Sequence, residues 1–345
     1  MNFIQTKVND LYNNGHISKQ LKGYLLSNLG ESKLGSFRLL AKLHKTKFSW
    51  RPIVNCRNHP NSKISLILDL LLKPIVMRTE TYIKDSQNLI QKLEDMTFEK
   101  KPFLYSLDIV SLYTSIRTEH ATQVITEFMS KYLDSFHLNI VALYNLISIM
   151  CTTNVFKFEE DFFKQIVGLP MGCIAAPSIA NLYVYILEIK WFYIEKPLAY
   201  FRFIDDTMMA LANKLNLESF QNHFIYLKFT ENSGDEINFL DLNISFNNLT
   251  KKLVFSVYIK PTNNFDYLRT NSNHPKHIFD NIPKSIFIRN RRICTYYSDY
   301  ILICKLHIEQ LIVRGYKKRS LVKLRKIIGN IDRNSLLPYK EKILI

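Results

Sequence analysis

Ala199-Tyr200-Phe201-Arg202-Phe203-Ile204-Asp205-Asp206-Thr207-Met208-Met209-Ala210-Leu211 sets two adjacent carboxylates between two apolar runs. Short apolar runs on either side of a polar pair read as two buried strands joined by a tight turn. Burying carboxylates beside apolar strands is unfavourable unless something pairs with them. A divalent metal is the natural partner, since Mg²⁺ takes oxygen ligands such as aspartate. Ordinary turns also contain Asp-Asp, so the reading depends on the rest of the chain.

Upstream, Phe103-Leu104-Tyr105-Ser106-Leu107-Asp108 is another short apolar strand ending in a carboxylate. A two-metal site needs carboxylates delivered from different strands to one point. Asp108, Asp205 and Asp206 can supply them. Between the two strands lies Gly168-Leu169-Pro170-Met171-Gly172-Cys173-Ile174-Ala175-Ala176-Pro177, a glycine-marked turn leading into a helix from Ser178 to about Lys190. Glycine lets backbone come close to a ligand.

The 345 residues suffice for one large domain or two to three small ones, and 47% hydrophobic content supports a core. The net charge of +16 calls for an anionic partner. From Lys284 onward fifteen Lys and Arg face four acids, interleaved with Tyr296, Tyr297 and Tyr316, a pattern that favours a nucleic-acid face. Cys56, Cys151, Cys173, Cys294 and Cys304 fit no disulfide or zinc framework and point to a reducing compartment. No signal peptide is visible. The most apolar run, Ile174 to Ile194, contains Pro177, Asn181 and Glu188 and reads as a buried helix, so no membrane partner is expected.

Apolar spacing predicts helices over Ser65–Met77, Thr118–Leu133, Leu138–Met150 and Lys214–Leu227. Asn154–Phe158 and Phe162–Val167 read as a hairpin, and Ile237–Ile244 and Leu253–Tyr258 as strands. After Pro261 the chain reads as helical and basic to its end. The irregular alternation gives an α+β class.

Asp108, the Gly168 turn and the Asp205-Asp206 turn, in this order, resemble the A, B and C motifs of reverse transcriptases, most closely those of Penelope-like retroelements. The resemblance extends to Ala41-Lys42-Leu43-His44-Lys45 and Trp50-Arg51-Pro52-Ile53-Val54, which look like finger motifs. Phe239-Leu240-Asp241-Leu242-Asn243-Ile244 looks like the region after the palm turn. Tyr258-Ile259-Lys260-Pro261-Thr262, Asn273-His274-Pro275 and Arg289-Asn290-Arg291-Arg292-Ile293-Cys294 look like the thumb signature. The resemblance implies a right-hand polymerase with an antiparallel palm sheet and a helical thumb. Its expected layout is a helical extension over 1–35, fingers and palm over 36–250 and thumb over 251–345.

The implied activity is RNA-directed DNA polymerisation by two-metal nucleotidyl transfer. Asp108 and Asp205 would hold two Mg²⁺ ions, with Mn²⁺ as a substitute, and Asp206 would be the auxiliary carboxylate. Lys42, Lys45 and Arg51 would meet the triphosphate, Arg51 through a bidentate fork. Tyr113, five residues after Asp108, would lie under the sugar and exclude a ribose 2′-hydroxyl. Gly168, Pro170, Met171 and Gly172 would floor the incoming base. Phe239 and Leu240 would support the primer terminus. Arg289, Arg291 and Arg292, within one helical turn, would contact duplex phosphates. Lys228 is a candidate general acid for the leaving pyrophosphate. The expected partners are an RNA template, a DNA primer and dNTPs, in an intracellular, nuclear setting. The oligomeric state stays open. Many Penelope-like proteins continue into a GIY-YIG endonuclease, and this sequence shows no such motif, so a chain without that nicking domain is expected. The competing reading is a catalytically inactive or domesticated nucleic-acid-binding derivative. The intact Asp108, Asp205, Asp206 and Arg51 favour the enzyme.

Overall fold

The computed structural model describes residues 1–42, 50–136 and 138–339. Its first elements are α1 (Asn2–Asn13), α2 (Lys19–Leu26), β1 (Gly35–Ala41), β2 (Trp50–Asn55), α3 (Ser62–Val76) and α4 (Ser86–Leu93). They lead into β3 (Phe103–Ile109), α5 (Leu112–Ser115), α6 (Thr118–Met129) and α7 (Ile140–Thr152). A hairpin, β4 (Val155–Phe158) and β5 (Asp161–Lys164), precedes α8 (Ala176–Trp191). Then come β6 (Ala199–Phe203), β7 (Asp206–Leu211), α9 (Leu217–His223), β8 (Phe229–Gly234), β9 (Glu236–Phe239), β10 (Leu242–Asn247) and β11 (Lys252–Val257). Three helices, α10 (Lys276–Ile293), α11 (Tyr297–Val313) and α12 (Lys318–Gly329), follow.

The chain divides into two compact units, both discontinuous in sequence. The first comprises Met1–Tyr82, Asp108–Lys196 and Asn216–Thr230. It holds a four-stranded sheet in the order β2-β1-β4-β5, with β1 antiparallel to β2 and parallel to β4. Helix α8 is apolar on nearly every face and is buried throughout, as its composition requires. Its one buried acid, Glu188, accepts a hydrogen bond from the Thr81 hydroxyl at 2.8 Å. A second buried polar group, Asn61, ties the start of α3 to the α7–β4 junction. Its amide donates to the Met150 carbonyl and to Asn154 Oδ1, while its oxygen meets His59 Nδ1 at 2.7 Å. Burial lowers the His59 pKa and keeps that ring neutral.

The second unit comprises Ile83–Leu107, Pro197–Leu215 and Glu231–Ile345. Strands β6-β7-β3-β8 form one sheet, and β11-β10-β9 form an antiparallel one. Leu104, Met208, Ala210, Ile237, Phe239 and Ile244 share a core between them. A separate core of Phe287, Tyr300, Cys304, Leu311, Leu321 and Ile328 holds α10, α11 and α12 together.

Three predicted elements differ. The Ile237–Ile244 strand is two strands, broken by a turn at Leu240–Asp241. The Lys214–Leu227 helix shortens to α9. The helical stretch expected from Pro261 starts at Lys276. In each case local apolar spacing is continuous, and long-range hydrogen bonds set the boundary instead.

Candidate active site

Strands β6 and β7 pair Phe203 with Asp206, so Ile204 and Asp205 form a two-residue turn. Ile204 is left-handed, with φ 58°. A β-branched residue there is strained and needs outside support. Arg202 provides it. This side chain is 2% exposed inside an otherwise apolar strand, and its Nη1 donates to the Ile204 carbonyl at 3.0 Å. Asp205 and Asp206 are half-buried at the turn. In the same sheet β7 neighbours β3, the strand that Asp108 continues, and Asp108 is also half-buried.

The first unit builds the ground on which the other candidates stand. Motif residue Tyr113 sits half-buried on α5, and its carbonyl accepts from Leu169 N at 2.7 Å. Gly168 has φ +79°, and a Cβ there would lie 2.6 Å from the Tyr113 carbonyl oxygen and 2.7 Å from Thr114 Cα. Gly172 has φ +122°, and a Cβ there would collide with the Val54 carbonyl. Val54 N in turn donates to the Met171 carbonyl at 2.9 Å. Glycine is required at both positions, for φ and for space. The effect is to press the Gly168–Gly172 turn against α5 on one side and β2, which carries exposed Arg51, on the other. Tyr113, Gly168, Pro170, Met171 and Gly172 are thus parts of one structure, although Tyr113 is far from the others in sequence. Lys42 is half-buried just past β1, and Lys45 lies outside the described residues. Lys228 is exposed, and its carbonyl accepts from Val110 N at 2.8 Å.

The β9–β10 turn repeats the motif. Leu242 pairs with Phe239, leaving Leu240 and Asp241 as the turn, with Leu240 at φ 54°. Phe239 is buried in the core and Leu240 packs against it. The Asp241 carboxylate holds this turn: Oδ1 takes the Ser86 hydroxyl, and Oδ2 takes Arg289 Nε at 2.9 Å together with Nη2. The Asp241 carbonyl accepts from Tyr258 N at 3.0 Å. A cleft of about 570 Å³ opens beside it, lined by Leu240, Lys260, Tyr267, Arg289 and His307. Burial pushes the His307 pKa down to about 4, with the Arg289 charge adding to the effect, and Tyr267 Oη meets its Nδ1 at 2.7 Å.

Arg291 Nε donates to the Ile331 carbonyl at 3.2 Å and Arg292 Nε to the Leu336 carbonyl at 2.9 Å. With Arg289 bound to Asp241, all three predicted duplex arginines have partners within their own unit. Sequence reasoning missed Arg202 and Asp241 as turn clamps. An arginine inside an apolar strand was the available signal for the first; nothing local marks the second.

A sequence model described as reverse transcriptase (RNA-dependent DNA polymerase) matches residues 43–239, more than half of the chain. The chain belongs to the reverse transcriptase family. The α+β, right-hand polymerase fold class read from the sequence therefore holds for this reverse transcriptase. A second model, described as an animal helix-turn-helix domain, matches residues 266–326. Among solved structures the reverse transcriptase is similar to Candida albicans telomerase in complex with a TWJ fragment of telomeric RNA. Identity is 11%, the TM-score is 0.57, and the match covers 90% of this chain and 62% of that one. It is also similar to apo telomerase from Candida tropicalis, at 13% identity and a TM-score of 0.50, covering 95% of this chain and 65% of the other. The chain thus spans somewhat less than two thirds of the length of these telomerase chains. No curated protein matches it. No helix among the described residues is long and apolar enough to cross a membrane.

Proposed function

We propose that this chain is an RNA-directed DNA polymerase that copies an RNA template onto a DNA primer with dNTPs, and that it derives from a Penelope-like retroelement. The observation that carries the reading is a family-wide match whose Asp205-Asp206 turn is clamped from behind, next to the strand that Asp108 continues. The motif order across the finger, palm and thumb segments supports the Penelope-like subtype.

The donor set suits Mg²⁺, because all three groups are half-buried carboxylates offering oxygen alone. Among the described residues no three His, Cys, Asp or Glu side chains form a closed cage. Mg²⁺ does not need one, since it keeps waters and takes substrate phosphates alongside one or two carboxylates. Bound there, two such ions would supply charge stabilisation for the attacking 3′-hydroxyl and the leaving pyrophosphate. Asp108 and Asp205 would hold them, with Asp206 beside them. Arg51 would pair with the triphosphate, and the Gly168–Gly172 turn would pass beneath the base. Tyr113 would stand against the 2′-position of the sugar, and its tie to Leu169 fixes its backbone for that task. The β9–β10 turn and the cationic cleft beside it would hold the primer terminus.

The test is primer extension on poly(rA)/oligo(dT) with Mg²⁺, with Tyr113→Ala measured in parallel. The wild-type chain extends the primer with dTTP, and the variant raises rNTP over dNTP use, read as a ratio of kcat/KM, by about tenfold or more. No extension by the wild type would leave the non-catalytic derivative as the function. An unchanged ratio would remove Tyr113 from sugar selection.

A further inference from the structure

The thumb's exposed basic face is not the one its arginine triplet suggests. Arg289, Arg291 and Arg292 bond within the unit. Helix α12 presents a different set. Arg319, Lys323 and Lys326 are exposed, while Leu321 and Ile328 are buried in the three-helix core. Spacings of four and three residues put the three cations on one stripe of the helix, and Leu321 and Ile328 fall on the opposite side. Lys317 and Lys318, also exposed, stand at its N-terminal entry. The sequence carries no acid between Glu309 and Asp332, but seven Lys and Arg.

The path into α12 has the geometry of a helix-turn-helix. Helix α11 ends at Val313 and α12 begins at Lys318, so four residues, Arg314 to Lys317, make the turn. Gly315 takes φ +94° within it, and a Cβ there would run into the Thr270 hydroxyl. The turn is fixed from both sides: Tyr316 N donates to the Leu311 carbonyl at 3.1 Å, and Thr270 N to the Arg314 carbonyl at 3.0 Å. Short glycine-containing turns of this kind orient the second helix for docking in a DNA major groove. The helix that is second here is the one carrying the cationic stripe, and the match to a helix-turn-helix model covers it up to residue 326.

We propose that α12 is the docking helix of a second nucleic-acid site, one that takes duplex DNA and is distinct from the template–primer site. Lys317, Lys318, Lys323 and Lys326 contact backbone phosphates flanking the groove. Arg319, the stripe's one guanidinium, is placed to reach a guanine edge as well. The site needs no 3′-hydroxyl and therefore stands or falls independently of polymerase activity.

The experiment uses the full chain and a covalently closed dumbbell of duplex DNA, which offers no primer end. Binding is followed by fluorescence anisotropy over a range of salt. In Arg319→Gln/Lys323→Gln/Lys326→Gln the slope of log K against log salt flattens by about 2.7, at about 0.9 per phosphate contact, and affinity falls at least about tenfold. Glutamine matches these residues in helix propensity, so the unfolding midpoint stays put. First-nucleotide addition on saturating poly(rA)/oligo(dT) also persists. Arg319→Glu alone lowers dumbbell affinity further than Arg319→Gln. Absence of dumbbell binding by the wild type, or an unchanged slope in the triple variant, overturns the proposal. Parallel loss of dumbbell binding and of first-nucleotide addition overturns it too, by making α12 part of the template–primer grip.

Discussion

Phe203-Ile204-Asp205 and Phe239-Leu240-Asp241 carry the same pattern of aromatic, aliphatic and aspartate, and each becomes a two-residue turn with its aliphatic residue left-handed. They differ in what holds the strain. At the first, a buried guanidinium grips a backbone carbonyl, so the clamp uses no oxygen of Asp205. At the second, the aspartate is the clamp, divided between Ser86 and Arg289. A turn supported through its backbone can present its carboxylate to a ligand. A turn supported through its carboxylate presents its backbone and its neighbours.

That contrast breaks first at the aspartates. Asp205→Asn should lower dNTP incorporation by about a thousandfold or more, because ligand charge at such a site is worth several kcal/mol of transition-state stabilisation. Its unfolding midpoint should stay near wild type. Incorporation at a near-normal rate would show that the two turns are equivalent and that neither holds metal.

The next effect is acid sensitivity around the second turn. His307 lines its cleft, and its folded pKa of about 4 lies below the 6.5 of an unperturbed histidine. The unfolded chain then binds the extra proton. The stability from the neutral ring is complete above pH 6.5 and is lost as pH falls through the folded value, amounting to about 3 kcal/mol. Urea titrations at several pH values should show this slope in the wild type and lose it in His307→Gln. An identical slope in both would assign the acid lability to other groups.

Asp241→Asn should follow at roughly 1–2 kcal/mol, since it weakens a charge-assisted pair that is about one third exposed. It should raise the KM for primer while kcat at saturating primer holds. A fall in kcat alone, with KM unchanged, would place Asp241 with the chemistry. Smallest should be Ile204→Gly and Leu240→Gly. Each relieves a left-handed residue by about 1 kcal/mol and loses a similar amount of apolar contact, so stability changes by less than about 1 kcal/mol. Incorporation should drop a few fold in the first alone, because a looser turn misplaces Asp205; equal drops in both would erase the distinction.

Much of this molecule is legible in its residues one window at a time. The hairpin β4–β5, helices α6, α7 and α8, and the Asp205-Asp206 turn all follow from apolar spacing broken by polar residues. The glycines at 168 and 172 announce a turn that backbone must approach closely, and Val54 and Tyr113 prove to be what approaches.

Other features have no local signature. Strand β8 runs through Thr230-Glu231-Asn232-Ser233 and is mostly exposed, so its extended form comes from pairing with β3 at the sheet edge rather than from any apolar pattern. The Leu240 turn contains no Gly, Asn or Pro, and exists because Ser86 and Arg289 reach Asp241 from 155 and 48 residues away. The arginine triplet looks free for phosphate as text, yet carbonyls near Ile331 and Leu336 claim two of its members. Periodicity and turn chemistry act between neighbours in the chain and can be read there. Which buried or charged group meets which partner depends on how distant segments pack, and that was decided in the tertiary structure.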